Sequence, residues 1–224
     1  MGTVINGKTV QGMCINGKTV RGACKNGVVF YEKATMSVSL TNLITNGSFE
    51  SDTMSWSGST IMNIIASTPG HGELGSAYAR ITQTTNQNTE LYFLQSFTIT
   101  IPSGQKYYIR CQAQDIGNNI NCQLYNNTTP FDPVISKILT ANTWELVDGI
   151  WTANTTSFRL RIRFNATGGA GTQGSRERTQ CLDNVMLLNL TDSFGAGQEP
   201  ALADIRAAVI AAGGYWDGAK TVLV

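Results

Sequence analysis

The chain has little charge, almost no histidine and no long apolar run, and each shortage excludes a class of function. Charged residues are 14% of its 224 residues, against roughly 25% in an ordinary soluble domain. Sixteen Lys+Arg face fifteen Asp+Glu, a formal charge of +1, so there is no global basic field to hold nucleic acid or an anionic membrane. With one histidine and five cysteines that lack CxxC spacing, a zinc site is hard to assemble. Reduced, mostly buried thiols are the expectation for Cys14, Cys24, Cys111, Cys122 and Cys181. The longest uncharged apolar stretch near an end, Ala207 to Trp216, is about half of what a membrane span needs. The first fifteen residues put Asn6, Gly7 and Lys8 where an export signal needs its apolar segment. Sequons at Asn46, Asn126, Asn127, Asn154, Asn165 and Asn189 therefore read as products of an Asn/Thr-rich composition rather than glycan sites.

What the chain does have is strand patterning in three unlike blocks. In the first, residues 1–34, Ile5-Asn6-Gly7-Lys8-Thr9-Val10 returns as Ile15-Asn16-Gly17-Lys18-Thr19-Val20, with a degenerate third copy at Lys25-Asn26-Gly27-Val28-Val29-Phe30. Asn-Gly favours a two-residue type I′ turn, so three such turns predict a four-strand meander of short hairpins. So small a meander buries little apolar area alone, which suggests an attachment or oligomerisation module. In the second block, residues 40–190, apolar and polar residues alternate in runs separated by Gly, Asn, Pro and Thr clusters. Strands are predicted near 62–66, 77–83, 90–101, 106–114, 120–125, 135–139, 144–152, 157–165 and 181–189, giving an antiparallel two-sheet sandwich. In the third, residues 191–224, Pro200 and Gly213-Gly214 bracket a helix from Ala201 to Ala212. Its apolar stripe, Leu202, Ile205, Val209 and Ala212, needs a surface to pack on. Thr221 to Val224 reads as a final strand. The fold class is all-β with a short C-terminal helix.

Particular segments carry a resemblance. Asn42-Leu43-Ile44-Thr45-Asn46-Gly47-Ser48-Phe49-Glu50 followed by Trp56, then Lys106–Ala113, the run from Thr143-Trp144 to Trp151-Thr152, and Leu182-Asp183-Asn184-Val185 come in the order found in jelly-roll carbohydrate-binding modules of the xylan- and glucan-binding kind. The block from Leu40 to Leu190 thus resembles a jelly-roll β-sandwich of the galactose-binding-like class. In such modules a structural calcium ion is held by carboxylates matching Glu50 and Asp183 here, and the resemblance implies this pair as metal ligands. Phe194-Gly195-Ala196-Gly197-Gln198-Glu199-Pro200 and Gly214-Tyr215-Trp216-Asp217-Gly218 are similar to segments that end many bacteriophage tail and baseplate proteins. The Asn-Gly repeats resemble phage structural proteins too. Together these imply a virion protein, tail-located or decorating the capsid and assembled in the host cytoplasm, that acts as an accessory adhesin. Its partners would be host cell-wall or capsular polysaccharide and other virion proteins. Viral fibres of this kind resemble homo-oligomers, trimers foremost.

The strands themselves offer saccharide chemistry. Alternation leaves Tyr108, Arg110 and Gln112 on one side of 106–114, and Asn121, Gln123 and Tyr125 on one side of 120–125. It also leaves Arg159, Arg161 and Arg163 on one side of Phe158–Phe164. If the resemblance holds and these strands share a sheet, the nine residues line one groove. There amides and guanidinium forks bond hydroxyls while tyrosine rings lie against sugars. Three arginines suggest an acidic or phosphate-bearing glycan. The other reading is a solvated face whose arginines pair with Glu145 and Asp148, on a decoration protein that contacts only virion chains. Trp56, Trp144 and Trp151 are expected in the core. No GxSxG surrounds a nucleophile, His71 sits in a turn, and no carboxylate pair is placed to converge, so an enzyme is not expected.

Overall fold

The computed structural model describes residues 3–5, 8–10, 13–15, 18–25, 28–32, 36–58, 62–66, 77–83, 91–117, 120–127, 133–166 and 178–224. The three Asn-Gly pairs and His71 lie outside the described residues. The N-terminal repeats give five strands, β1 (Thr3–Ile5), β2 (Lys8–Val10), β3 (Met13–Ile15), β4 (Lys18–Lys25) and β5 (Val28–Glu32). They form a two-stranded sheet, β1-β2, and a three-stranded sheet, β3-β4-β5, where one four-stranded meander was expected. The registers Ile5↔Lys8, Ile15↔Lys18 and Lys25↔Val28 each close across one Asn-Gly pair.

The rest of the chain is an all-β sandwich with two helices near its C-terminus. Its strands are β6 (Ser37–Asn42), β7 (Trp56–Gly58), β8 (Met62–Ala66), β9 (Ala77–Gln83), β10 (Leu91–Gln95), β11 (Ile99–Thr100), β12 (Lys106–Ile116), β13 (Ile120–Asn126) and β14 (Pro133–Leu139). They continue with β15 (Glu145–Thr152), β16 (Ser157–Phe158), β17 (Leu160–Ala166) and β18 (Arg178–Asn189). Then come α1 (Leu190–Phe194), α2 (Leu202–Ala211) and β19 (Gly218–Leu223). One sheet runs β14-β13-β17-β10-β7; the other runs β15-β12-β18-β6-β19, with β9 also on β18 and β8 on β9. The strand expected over 90–101 breaks into β10 and β11, and that over 157–165 into β16 and β17, because the chain changes partners. β10 lies on β17, whereas β11 lies on β16. At the second break Arg159 N–H donates to Asn126 Oδ1 at 3.1 Å and its Nε to the Gln95 carbonyl at 2.7 Å.

Between the sheets lies the main core, built from the inward sets of both, including Phe93, Phe164, Leu124, Ile109, Phe158 and Leu187. Phe93 and Phe164 meet edge to face at 6.0 Å, a preferred aromatic geometry. Trp56 is buried against Phe49, and Trp151 packs on Tyr107 and Phe158, whereas Trp144 stands half-buried against Tyr78. Cys111, Cys122 and Cys181 are buried, with no disulfide among them. Burial raises the Cys122 thiol well above its ordinary value, with Cys111 as its hydrogen-bond neighbour.

A second core sits on the opposite side of the larger sheet. Here α2 lays Ile205 and Val209, with the partly buried Leu202 and Ala212, onto Val38, Leu40, Tyr108, Met186 and Leu188. The helix stripe is thereby satisfied within the chain and gives no argument for a second copy. This layer explains why β18 does not alternate: Cys181 to Leu188 are all buried, as in a strand covered on both faces. By contrast β10 and β13 alternate strictly, since only one of their faces meets the core.

The third block is fastened by its own motif residues. Glu199 accepts from Thr191 Oγ1 at 2.8 Å, Lys106 Nζ at 3.3 Å and Gly197 N–H at 3.0 Å. Backbone and Thr191 hydrogen bonds hold its carboxyl below the usual glutamate range. The short helix α1, which the sequence pattern did not reveal, is capped by Asn189, whose side chain accepts from Asp192 N–H. β19 pairs with β6 from Gly218↔Asn42 to Leu223↔Ser37, so the end of the chain completes the larger sheet. No helix among the described residues is long and apolar enough to cross a membrane.

Candidate functional site

The outer face of the five-stranded sheet carries the candidate site. Its register sets side chains in rows: Ser57, Leu94, Arg161 and Tyr125 form one, and Tyr92, Arg163, Gln123 and Ser136 the next. Asn121 and Ile138 continue into a third row. These side chains are half-buried or exposed, and none belongs to either core. Contacts run along the diagonals between rows. The Arg161 guanidinium carbon lies 4.0 Å from the centroid of the Tyr92 ring, and that of Arg163 lies 5.3 Å from the Tyr125 ring. Arg163 Nη1 donates to Tyr125 Oη at 3.2 Å, and Tyr125 Oη donates to Gln123 Oε1 at 3.3 Å. Ser136 Oγ donates to Asn121 Oδ1 at 2.7 Å.

Five of the nine expected groove residues therefore share this face: Asn121, Gln123, Tyr125, Arg161 and Arg163. Arg159 sits at the β16–β17 break, and its guanidinium is spent on the Gln95 carbonyl. Tyr108, Arg110 and Gln112 are corrected: they stand on β12, in the other sheet, so the nine do not form one groove. Tyr108 is fully buried and Arg110 is 2% exposed, because the C-terminal layer covers the face that strand alternation marked as wet. Tyr108 Oη donates to Asp148 Oδ2 at 2.9 Å, and burial raises its pKa. Arg110 Nε and Nη1 are buried with no hydrogen-bond partner. A sugar arriving from solvent touches neither residue.

The two carboxylates that the sequence offered to the arginines pair with other cations. Glu145 pairs with Lys137 at 2.7 Å, and Asp148 pairs with Arg206 at 2.7 Å. Sequence reading missed Tyr92, the ring under Arg161. The strict alternation Leu91-Tyr92-Phe93-Leu94-Gln95 marks it as outward, and that strand's wet face had not been assigned.

The expected metal residues sit in different settings. Glu50 is exposed and its Oε1 accepts from Ala77 N–H at 2.9 Å. Asp183 is fully buried and accepts from Asn184 N–H at 2.7 Å and Asn184 Nδ2 at 2.9 Å. Beside it, Asn184 Oδ1 is buried with no hydrogen-bond partner, an orphaned hard oxygen of the sort a calcium ion takes. Among the described residues no three His, Cys, Asp or Glu side chains converge to hold a metal, so further ligands would have to be amide or backbone oxygens.

The family model for a carbohydrate binding domain matches residues 41–172. Among solved structures, one similar to this chain is the enzymatically active domain of tailspike protein 4 of bacteriophage CBA120, at 16% identity and a TM-score of 0.48. The match covers 65% of this chain and 21% of that one. TmCBM61 in complex with beta-1,4-galactotriose matches at 13% identity, 66% and 98% coverage and a TM-score of 0.47. The CBM22-2 xylan-binding domain from Paenibacillus barcinonensis Xyn10C matches at 14% identity, 64% and 97% coverage and a TM-score of 0.47. No curated protein matches the chain.

Proposed function

We infer, because this chain belongs to the carbohydrate-binding domain family, that it binds polysaccharide without catalysis and does so on the outer face of the five-stranded sheet. The interleaved pairs Tyr92–Arg161 and Arg163–Tyr125 carry this reading. They put rigid, multiply donating groups on a face that the cores do not use. Asn121 and Gln123 add planar amides able to bond neighbouring hydroxyls. The chain's role is that of a phage particle component that attaches to host cell-wall or capsular polysaccharide. Support for this role comes from the Asn-Gly repeats and the two C-terminal motifs. Under the other reading, a decoration protein meeting only virion chains, the same face would leave glycans unbound.

Titration calorimetry against purified cell-wall polysaccharide tests the site. Arg161→Ala with Tyr125→Ala should weaken binding by about tenfold or more, the equivalent of losing about 1.4 kcal/mol, with the melting temperature little changed because both side chains lie outside the cores. Unchanged affinity in that variant would remove the site from this face.

We also propose that Glu50 and Asp183 hold a structural calcium ion, with Asn184 Oδ1 as a further ligand. The ion would supply no chemistry beyond tying the opening segment to β18. Chelation should then lower the melting temperature and added calcium should restore it. A melting curve indifferent to both would refute the proposal.

A further inference from the structure

We propose that the outer face of the larger sheet carries a second saccharide surface, built on Trp144 and Tyr78, so that one module holds a polysaccharide segment on each side of the sandwich. It shares no residue with the face described above. Strand alternation sets it out. Ala79, Ile81, Cys111, Ala113 and Val147 fill the main core, so Tyr78 and Arg80 of β9, Gln112 and Gln114 of β12 and Leu146 of β15 stand on the opposite side of the sheet. Trp144, the residue before β15, stands on that side too. The α2 layer covers Tyr108 and Met186 on this face, but Trp144, Tyr78 and Leu146 belong to neither core. These three, with Gln112 and Gln114, are half-buried and so reach solvent.

The two rings come from distant strands. In the sheet order β15 and β9 are separated by β12 and β18, yet Trp144 and Tyr78 meet edge to face at 5.3 Å. The rings therefore lean toward each other over β12 and β18, where Gln114 stands opposite Cys181 and Gln112 opposite Asp183. Cys181 is fully buried on this face although it belongs to neither core, as expected beneath an aromatic span. Edge-to-face contact is a favoured geometry. It orders both rings before a ligand arrives, so little side-chain freedom is lost on binding. A sugar lays its C–H face on such a ring, and Gln112 and Gln114 each present an amide donor and acceptor to its hydroxyls. Arg80, opposite Cys181 on β9, has its Nε buried with no hydrogen-bond partner, a donor that is costly until an acceptor reaches it. Rings bordered by amides and a guanidinium suit a hydroxylated ligand better than a protein chain, which favours a continuous apolar patch.

The intact chain is titrated with soluble fragments of purified cell-wall polysaccharide, with xylohexaose and with β-1,4-galactotriose, and binding is read by calorimetry and by tryptophan emission. Trp56 and Trp216 are buried and Trp151 packs on the main core, so a sugar-dependent change in emission reports Trp144 and should vanish in Trp144→Phe. A probe that fills both faces should lose one site in Arg161→Ala with Tyr125→Ala and the other in Trp144→Ala. Gln112→Ala with Gln114→Ala, which spares the rings, should weaken the second site by about tenfold. Long polysaccharide should be cross-linked into a turbid network by the parent and by none of these variants. Binding that the Arg161 and Tyr125 changes abolish and the Trp144 and glutamine changes leave untouched overturns the second surface while the first site stands. Binding lost only in the Trp144 and glutamine variants removes the first site and keeps this one. If Trp144→Ala no longer melts cooperatively, the glutamine pair decides: unchanged affinity there, or no Trp144-dependent emission change with any of the three probes, overturns the proposal.

Discussion

Replacing Gly47 with alanine should destabilise the sandwich by at least about 3 kcal/mol, the upper end of ordinary overpacking, and should lower its urea midpoint with little change in slope. A Cβ at this position would lie 2.1 Å from the Val185 carbonyl oxygen and 3.0 Å from its carbon. Both are backbone atoms of β18, the central strand of the larger sheet, and Val185 N–H donates to the Gly47 carbonyl at 2.9 Å. Neither chain can withdraw without breaking that bond. Gly149→Ala is the control: its Cβ would press on the Ile135 side chain, 2.7 Å from Cδ1. That is a side-chain end on β14, which a rotamer change can move. The first variant should therefore be markedly less stable than the second, and equal losses would show that the close approach at Gly47 does not constrain the fold.

Trp216→Ala should cost about 3–5 kcal/mol, the range for truncating a large buried aromatic. Trp216 is 7% exposed, fills the second core and donates from Nε1 to the Leu40 carbonyl at 3.3 Å. Its own carbonyl accepts from Asn42 Nδ2 at 3.1 Å. Lys220 caps the ring from 5.6 Å. Removing the indole leaves a cavity in the second core and takes one donor from the Leu40 carbonyl. Trp216→Phe, which keeps most of the volume and loses only the donor, should cost less than half as much. A denaturant midpoint near that of the parent for Trp216→Ala would mean that the C-terminal layer is not part of the cooperative unit. In that case Tyr108 and Arg110 would be less shielded than their burial implies.

The motifs that resembled known families turn out to be fasteners. Asn46 has φ of 52° and donates to the Asp52 and Met54 carbonyls at 2.8 and 3.0 Å, while its own carbonyl accepts from Trp56 Nε1 at 3.0 Å. One asparagine thus closes the loop between β6 and β7. Asn42 satisfies four partners at once: it donates to the Val185 and Trp216 carbonyls and accepts from Ile44 and Leu187 N–H. Glu199 does similar work between α1, β12 and its own loop. Buried polar groups that are fully satisfied specify a unique packing, which is why these short patterns are visible in a chain of otherwise loose composition.

What the sequence by itself determined is local. Period-two alternation in Leu91–Gln95 and Ile120–Asn126 set those strands and sorted each into a dry and a wet side, because a strand with one face in the core must alternate. Pro200 and Gly213 framed α2, because one lacks an N–H and the other tolerates a positive φ. Tertiary structure alone decided which wet side stays wet. The alternation of Tyr107 to Ala113 resembles that of Ile120 to Tyr125, yet α2 and Trp216 cover one outer face and neither core reaches the other. Tyr108 and Arg110 are buried for that reason, while Arg161, Arg163 and Tyr125 meet solvent with a ring, Tyr92, supplied by a strand some seventy residues earlier in the chain. A period of two records that a strand has two faces; what lies on each depends on segments far away in sequence, which local patterning does not encode.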